Sequence, residues 1–155
     1  IIAADADPRR LELATQFGAT DTVDALHPDV VASIKALTSN RGAEFVFEAA
    51  GHASAMQLAV EAAQPGAQIV LLGKVPVDEV VGFRFGAIMG EKRITRSSYG
   101  GAEPEVDFPL LAQAYLEGKL KLDELIGRRI ALADINQAVN AMRRGDPGRT
   151  VVVFE

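Results

Sequence analysis

Short apolar runs and amphipathic runs alternate from the first residue of this chain, and that alternation constrains its fold more than any other feature. Ile1-Ile2-Ala3-Ala4-Asp5 reads as a short buried strand ending in an acid. A helix over 8–17 follows, with Leu11, Leu13, Ala14 and Phe17 on one face. Gly18 stops it, because glycine accepts the positive φ of a helix terminus without a steric cost. Thr22-Val23 is a short extended piece, and Pro28 opens a second helix through Val30, Val31, Ile34 and Leu37. Asn40-Arg41-Gly42 is a turn, and Ala43-Glu44-Phe45-Val46-Phe47 is the next strand. A helix over 53–63 ends at Gln64-Pro65-Gly66, and Gln68-Ile69-Val70-Leu71-Leu72-Gly73 is the most apolar strand. Strands alternating with helices of about ten residues predict an α/β fold, with a parallel sheet and crossover helices.

After Gly73 the pattern changes. Residues 74–90 carry Pro76, several glycines and an apolar stretch over 83–89, and 92–98 reads as a strand. Tyr99-Gly100-Gly101 breaks the chain where the alternation stops, which predicts a boundary between 1–99 and 100–155. Beyond it lie a helix over 106–117, a short strand near Arg129-Ile130 and a helix over 134–144 with Asp134 as its N-cap. A turn at Gly145-Asp146-Pro147-Gly148 leads into a closing strand over 149–154.

Composition excludes several functions. The 155 residues carry a formal charge of -5, the wrong sign for a chain whose main partner is nucleic acid. No apolar run approaches the roughly 20 residues of a membrane span, and no signal peptide is visible, so the expected compartment is the cytoplasm. Cysteine is absent, which removes disulfides and thiolate metal sites. The two histidines, His27 and His52, sit in different segments without metal-site spacing, so no metal ligand is expected here.

Five places hold residues suited to chemistry. Asp5, at a strand's carboxyl end, can accept hydrogen bonds from a ribose diol and repels a 2′-phosphate; the bland alternative is a solvated acid or a helix cap, for which Asp7 is better placed. Such an acid ordinarily lies about 20 residues after a glycine-rich turn, G-x-G-x-x-G. No room for that turn precedes Asp5, so the chain is expected to be part of a larger enzyme, cut inside its cofactor domain. Phe47-Glu48-Ala49-Ala50-Gly51 runs a strand into small residues that let backbone approach a flat ligand, although Gly51 also simply starts a helix. Leu72-Gly73-Lys74 is a second strand end of the same kind, with an ordinary strand-to-loop turn as its alternative. Arg149, after a Pro-Gly turn, can pair with a pyrophosphate or form a surface salt bridge. Tyr99 has no lysine four residues on, as a tyrosine–lysine acid pair would need, and no catalytic residue is assigned.

Taken in order, these pieces resemble one family over nearly the whole chain, the zinc-dependent medium-chain alcohol dehydrogenases. The resemblance rests on Ile2-Ala3-Ala4-Asp5, Phe17-Gly18-Ala19-Thr20-Asp21, Gly42-Ala43-Glu44-Phe45-Val46-Phe47-Glu48 with Gly51, and Leu72-Gly73. It continues through Gly90-Glu91-Lys92-Arg93-Ile94, Ser98-Tyr99-Gly100-Gly101, Leu122-Asp123-Glu124-Leu125-Ile126, Ile135-Asn136-Gln137-Ala138 and Arg149-Thr150-Val151. It implies a Rossmann-type doubly wound parallel sheet lacking its first strand, followed by a C-terminal segment of the catalytic domain. It also implies roles. Asp5 binds the adenosine ribose of NAD with Arg10 beside it. Ala49 and Ala50 line the cleft. Leu72, Gly73 and Lys74 run beside the nicotinamide, Tyr99 turns its amide toward the carboxamide, and Arg149 reaches the pyrophosphate. The family's zinc ligands have no counterpart here, so zinc is expected in the intact parent only and the chain alone is expected to be inactive. The implied substrate is a small alcohol or aldehyde. The implied assembly is a homodimer or homotetramer joined through 83–98. Two other readings stay open: a zinc-free, NADP-dependent quinone or enoyl reductase of the same superfamily, and a non-catalytic nucleotide-binding module.

Overall fold

The structure, a computed structural model, describes residues 1–154 and divides into two compact units, Ile1–Gly101 and Ala102–Glu155. In the first unit the elements run β1 (Ile2–Asp5), α1 (Pro8–Gln16), β2 (Asp21–Asp24), α2 (Val30–Leu37), β3 (Ala43–Glu48), α3 (Ala53–Ala62), β4 (Ala63–Leu71), α4 (Phe85–Ile88) and β5 (Arg93–Arg96). Every pairing is parallel, as the alternation predicts: β1 with β2, β3 with β4, and β4 with β5. The sheet is in two pieces, β1-β2 and β3-β4-β5, in keeping with the expected Rossmann-type sheet that lacks its first strand. Among the described residues no strand joins β1 to β3, so each presents an unpaired edge.

Two apolar clusters hold this unit together. Ala59, Val60, Ala63, Ala67 and Ile69 form one, where α3 meets β4, with Val46, Phe83 and Ala87 packed against it. Val23, Val30, Ile34 and Ala62 form the other, where β2, α2 and the end of α3 converge. Val60 and Ile69 are fully buried. Phe45 and Phe47 alternate with Val46 along β3 and stay exposed, since the period of two sends them to the face opposite the first cluster.

The helix ends show which local signals acted. Asp7 caps α1: its Oδ1 accepts the Arg9 amide at 2.9 Å, and Pro8 fills the first helical position, where no amide partner is needed. The Arg9 guanidinium closes on the same carboxylate at 2.7 Å. The side-chain bond from Arg9 and the amide bond together lower the Asp7 pKa from 3.8 to about 2. A depressed carboxylate stabilises the fold fully above its unfolded pKa and loses that contribution as pH falls through the folded value. Asp7→Asn is therefore expected to lower the melting temperature at pH 7 by an amount that shrinks between about pH 4 and pH 2. A melting difference that does not change with pH over that range rules the linkage out.

Other boundaries moved. The strand expected to run to Gly73 ends at Leu71, because the Leu72 and Gly73 amides leave the ladder and both donate to the Glu48 carbonyl, at 2.7 and 3.0 Å. At its other end β4 begins directly after α3, absorbing the expected Gln64-Pro65-Gly66 turn. Gly66 there has φ 76, and its amide is held by the Gly90 carbonyl at 2.7 Å.

The second unit contains α5 (Pro104–Leu116), β6 (Ile126–Ala131), α6 (Ile135–Arg143) and β7 (Arg149–Val153), with β6 and β7 paired in parallel. Ala138 and Ala141 are its buried residues, both on α6. Asp134 stands at the N-cap of α6 as expected but makes no side-chain capping bond. Its Oδ1 instead meets Gln137 Nε2 at 3.4 Å.

Candidate functional site

Asp5, Ala49, Ala50, Leu72, Gly73 and Lys74 fall at or just past the carboxyl ends of β1, β3 and β4, where an open parallel sheet leaves backbone groups without ladder partners. At the end of β1, Asp5 is partly exposed and splits its carboxylate between two tasks. Oδ1 accepts the Asp7 amide at 2.9 Å, and Oδ2 lies 3.9 Å from the Arg10 guanidinium on α1. Asp5 thus serves the local turn with one oxygen and presents the other beside a cation. An exposed pair at that distance contributes at most about 1 kcal/mol, so Arg10 orients the acid without sequestering it.

The ends of β3 and β4 form a second, tighter corner. A side-chain Cβ built on Gly73 would lie 2.3 Å from the Gly51 amide nitrogen, 2.5 Å from its Cα and 2.6 Å from Glu48 Oε2. One on Gly51, whose φ is +74, would lie 2.7 Å from the Lys74 carbonyl oxygen. Only glycine fits at either position. Since Leu72 and Gly73 both spend their amides on Glu48, the Lys74 amide and the Gly73 carbonyl are the groups without backbone partners among the described residues. Ala49, Ala50 and Lys74 are exposed around this corner.

Glu48 and Arg96 carry more of this geometry than the sequence indicates. Glu48, 5% exposed, is the buried charged residue among those described. Its Oε1 accepts the Gly51 amide at 2.7 Å, while Oε2 is buried without a partner. Arg96, at the end of β5, donates to the Leu71, Leu72 and Ser97 carbonyls at 3.1, 3.3 and 2.9 Å, tying two strand ends together. A glutamate ending an apolar strand and an arginine ending an edge strand are ordinary surface patterns, so periodicity does not single them out.

Tyr99 lies in a 3-10 turn at the end of the first unit, with φ 52 and its side chain 93% exposed. Arg149 belongs to the second unit, where it opens β7 beside a small hollow shared with Gly127, Asp146 and Thr150. Among the described residues no carboxylate pairs with it; Asp146 instead meets Arg128 and Arg144 at 3.7 and 3.6 Å. A concavity of about 180 Å³ lies between α3 and residues 82–87 and is lined by none of the expected site residues. His27 uses Nδ1 to accept the Asp29 amide, and His52 stands at the start of α3 without capping it. Among the described residues no three His, Cys, Asp or Glu side chains cluster as a metal would require, and no helix is long and apolar enough to cross a membrane.

The chain is similar to known dehydrogenases over nearly its whole length. The chain is 30% identical to an alcohol dehydrogenase class-3 of Cereibacter sphaeroides, over 99% of its own length and 43% of that protein's. It is 29% identical to an S-(hydroxymethyl)glutathione dehydrogenase of Haemophilus influenzae, over 99% of its length and 41% of the relative's. Among solved structures, benzyl alcohol dehydrogenase from Acinetobacter calcoaceticus superposes on the whole chain with a TM-score of 0.92 at 30% identity, and 42% of that enzyme is covered. A Pseudomonas syringae quinone oxidoreductase shares the fold, with a TM-score of 0.77 at 23% identity. The chain spans about two fifths of the length of the relatives it matches. The family profile of the zinc-binding dehydrogenases matches residues 1–115, and with the resemblance to zinc-dependent alcohol dehydrogenases borne out over strands, turns and spacing, the chain belongs to that family.

Proposed function

We propose that this chain supplies most of the cofactor cleft of an NAD-dependent, zinc-type alcohol dehydrogenase, which passes hydride between an alcohol/aldehyde pair and NAD in the cytoplasm. The observation that carries the choice of NAD is Asp5, whose Oδ2 stands at the end of β1 accepting no hydrogen bond among the described residues and lies 3.9 Å from the Arg10 guanidinium. A ribose diol supplies donors to that oxygen; a 2′-phosphate supplies a second negative charge. The contact between Gly51 and Gly73, closed to any Cβ, holds the β3 and β4 ends together beside the exposed Ala49, Ala50 and Lys74, the surface to which this reading assigns the nicotinamide.

A nicotinamide bound in this cleft would supply the hydride acceptor, and zinc held elsewhere in the full-length protein would supply a Lewis acid for the alcohol oxygen. The chain's own part is positional. Asp5 and Arg10 fix the adenosine end. Ala49 and Ala50 keep the cleft wall low. The Gly73 carbonyl and Lys74 amide offer the carboxamide one acceptor and one donor, with the Tyr99 amide as a further donor. The described residues do not fit a zinc ion, and on this reading its ligands lie elsewhere in the full-length protein. Titrating full-length protein with NADH and NADPH tests the proposal. NADH is expected to bind at least about tenfold more tightly. Equal or tighter NADPH binding points instead to the quinone-reductase alternative.

The same reading puts a two-fold subunit contact at β5, an edge strand exposed along its length that carries Ile94, with the exposed Ile88 and Met89 shortly before it in the chain. Phe83 and Ala87, which the sequence assigns to the same apolar surface, instead pack on their own core. Ile88→Asp with Met89→Asp in the full-length enzyme is expected to halve the mass measured by light scattering; a folded variant of unchanged mass locates the interface elsewhere.

A further inference from the structure

Glu48 is the feature that the proposed roles leave unexplained. Burying a carboxylate oxygen without a hydrogen-bond partner is costly, and native folds rarely leave one so. The Oε2 oxygen has none, and no lysine or arginine pairs with Glu48 among the described residues. Glutamine would have served the one bond that is made, since its amide oxygen can also accept from Gly51. The geometry points to a role for the charge itself. We propose that Glu48 biases the cleft toward the oxidised form of the cofactor. This rests on the reading that Leu72, Gly73 and Lys74 run beside the nicotinamide.

The physical argument is one of compensation. Oε2 packs against Gly73 and Gly51, directly beneath the corner assigned to the nicotinamide. The oxidised ring carries a positive charge and the reduced ring is neutral. A buried negative charge acts through space on what lies above it, without touching it, and low local polarity extends its reach. Unit charges about 10 Å apart at an effective dielectric of about 20 change an equilibrium by roughly tenfold. The oxidised cofactor provides the cation that Glu48 lacks, and the reduced cofactor does not. Glu48 is thus a specificity residue for redox state: its charge raises the affinity for NAD⁺ relative to NADH, and by stabilising the oxidised ring it moderates that ring's appetite for hydride.

The test is the dissociation constant of each form, by calorimetry, for full-length wild type, Glu48→Gln and Glu48→Asp. Glu48→Gln keeps the size and the bond to Gly51 and removes the charge. It is expected to weaken NAD⁺ binding about tenfold and leave NADH within about twofold. Glu48→Asp keeps the charge but draws Oε1 away from Gly51. It is expected to weaken both forms by the same factor, preserving their ratio. A Glu48→Gln variant whose two constants change equally, or not at all, overturns the proposal and leaves Glu48 a structural tie. Wild-type protein that binds neither form overturns the proposed function, and this inference with it. If Glu48→Gln fails to fold, a Glu48→Asp ratio that departs from wild type overturns the proposal, and a ratio that holds supports it.

Discussion

Replacing Asp5 with alanine in the full-length enzyme is expected to lower kcat/KM for NAD by about a hundredfold while leaving NADP within about threefold. The estimate follows from the two ribose hydroxyls that a carboxylate there would accept. Each charge-assisted hydrogen bond contributes about 1.5–3 kcal/mol, and each 1.4 kcal/mol is tenfold. NADP loses little, because the same substitution removes the carboxylate that repels its phosphate. Since Oδ1 already holds the Asp7 amide at 2.9 Å, part of any loss is local disorder at the start of α1. Asp5→Asn separates the two effects: its amide oxygen keeps the Asp7 bond, and its nitrogen replaces the oxygen that faces the ribose. If Asp5→Asn behaves as wild type with NAD while Asp5→Ala does not, Asp5 is a turn residue and the ribose is held elsewhere.

Gly73→Ala is expected to have the larger effect on the fold. The added methyl meets the Gly51 nitrogen at 2.3 Å and its Cα at 2.5 Å, and both are backbone atoms that no rotamer change can move. Overpacking of this kind costs about 1–3 kcal/mol or more. In a domain of this size that is a drop of roughly 5 °C or more in melting temperature, accompanied by loss of cofactor binding as the β3 and β4 ends are pushed apart. Gly82→Ala is the control. A Cβ there meets nothing within 4 Å, so it is expected to melt with wild type. Equal melting of both variants would show that the corner is loose.

The parallel α/β class was legible because it follows from periodicity. Ile69 and Val60 had to be buried, and the glycine and proline punctuation bounded most elements within two or three residues. The sheet's division into two pieces was not legible from local pattern, since pairing between β1 and β3 depends on what lies between them rather than on either strand's own residues. The acid at Asp5 was visible as a strand terminator. Its shared duty toward Asp7 was not, because Asx-type bonds depend on the backbone angles of a single turn. Glu48 and Arg96 were missed for a related reason: their side chains bond main-chain atoms, the Gly51 amide for Glu48 and the Leu71, Leu72 and Ser97 carbonyls for Arg96, which leave no side-chain pattern to read.

The two apolar clusters share one helix. Ala59 and Val60 of α3 belong to the cluster under β4, and Ala62, on the same helix, belongs to the cluster beneath β2 and α2. The half-sheets exchange no backbone hydrogen bonds in the described residues, so α3 acts as the hinge-pin of their cooperativity. A mutational cycle pairing Ile34→Val with Ile69→Val should then be additive, because the two sites report on separate foldons. Pairing either with a substitution in α3 should not be additive, since one helix transmits the disturbance to both.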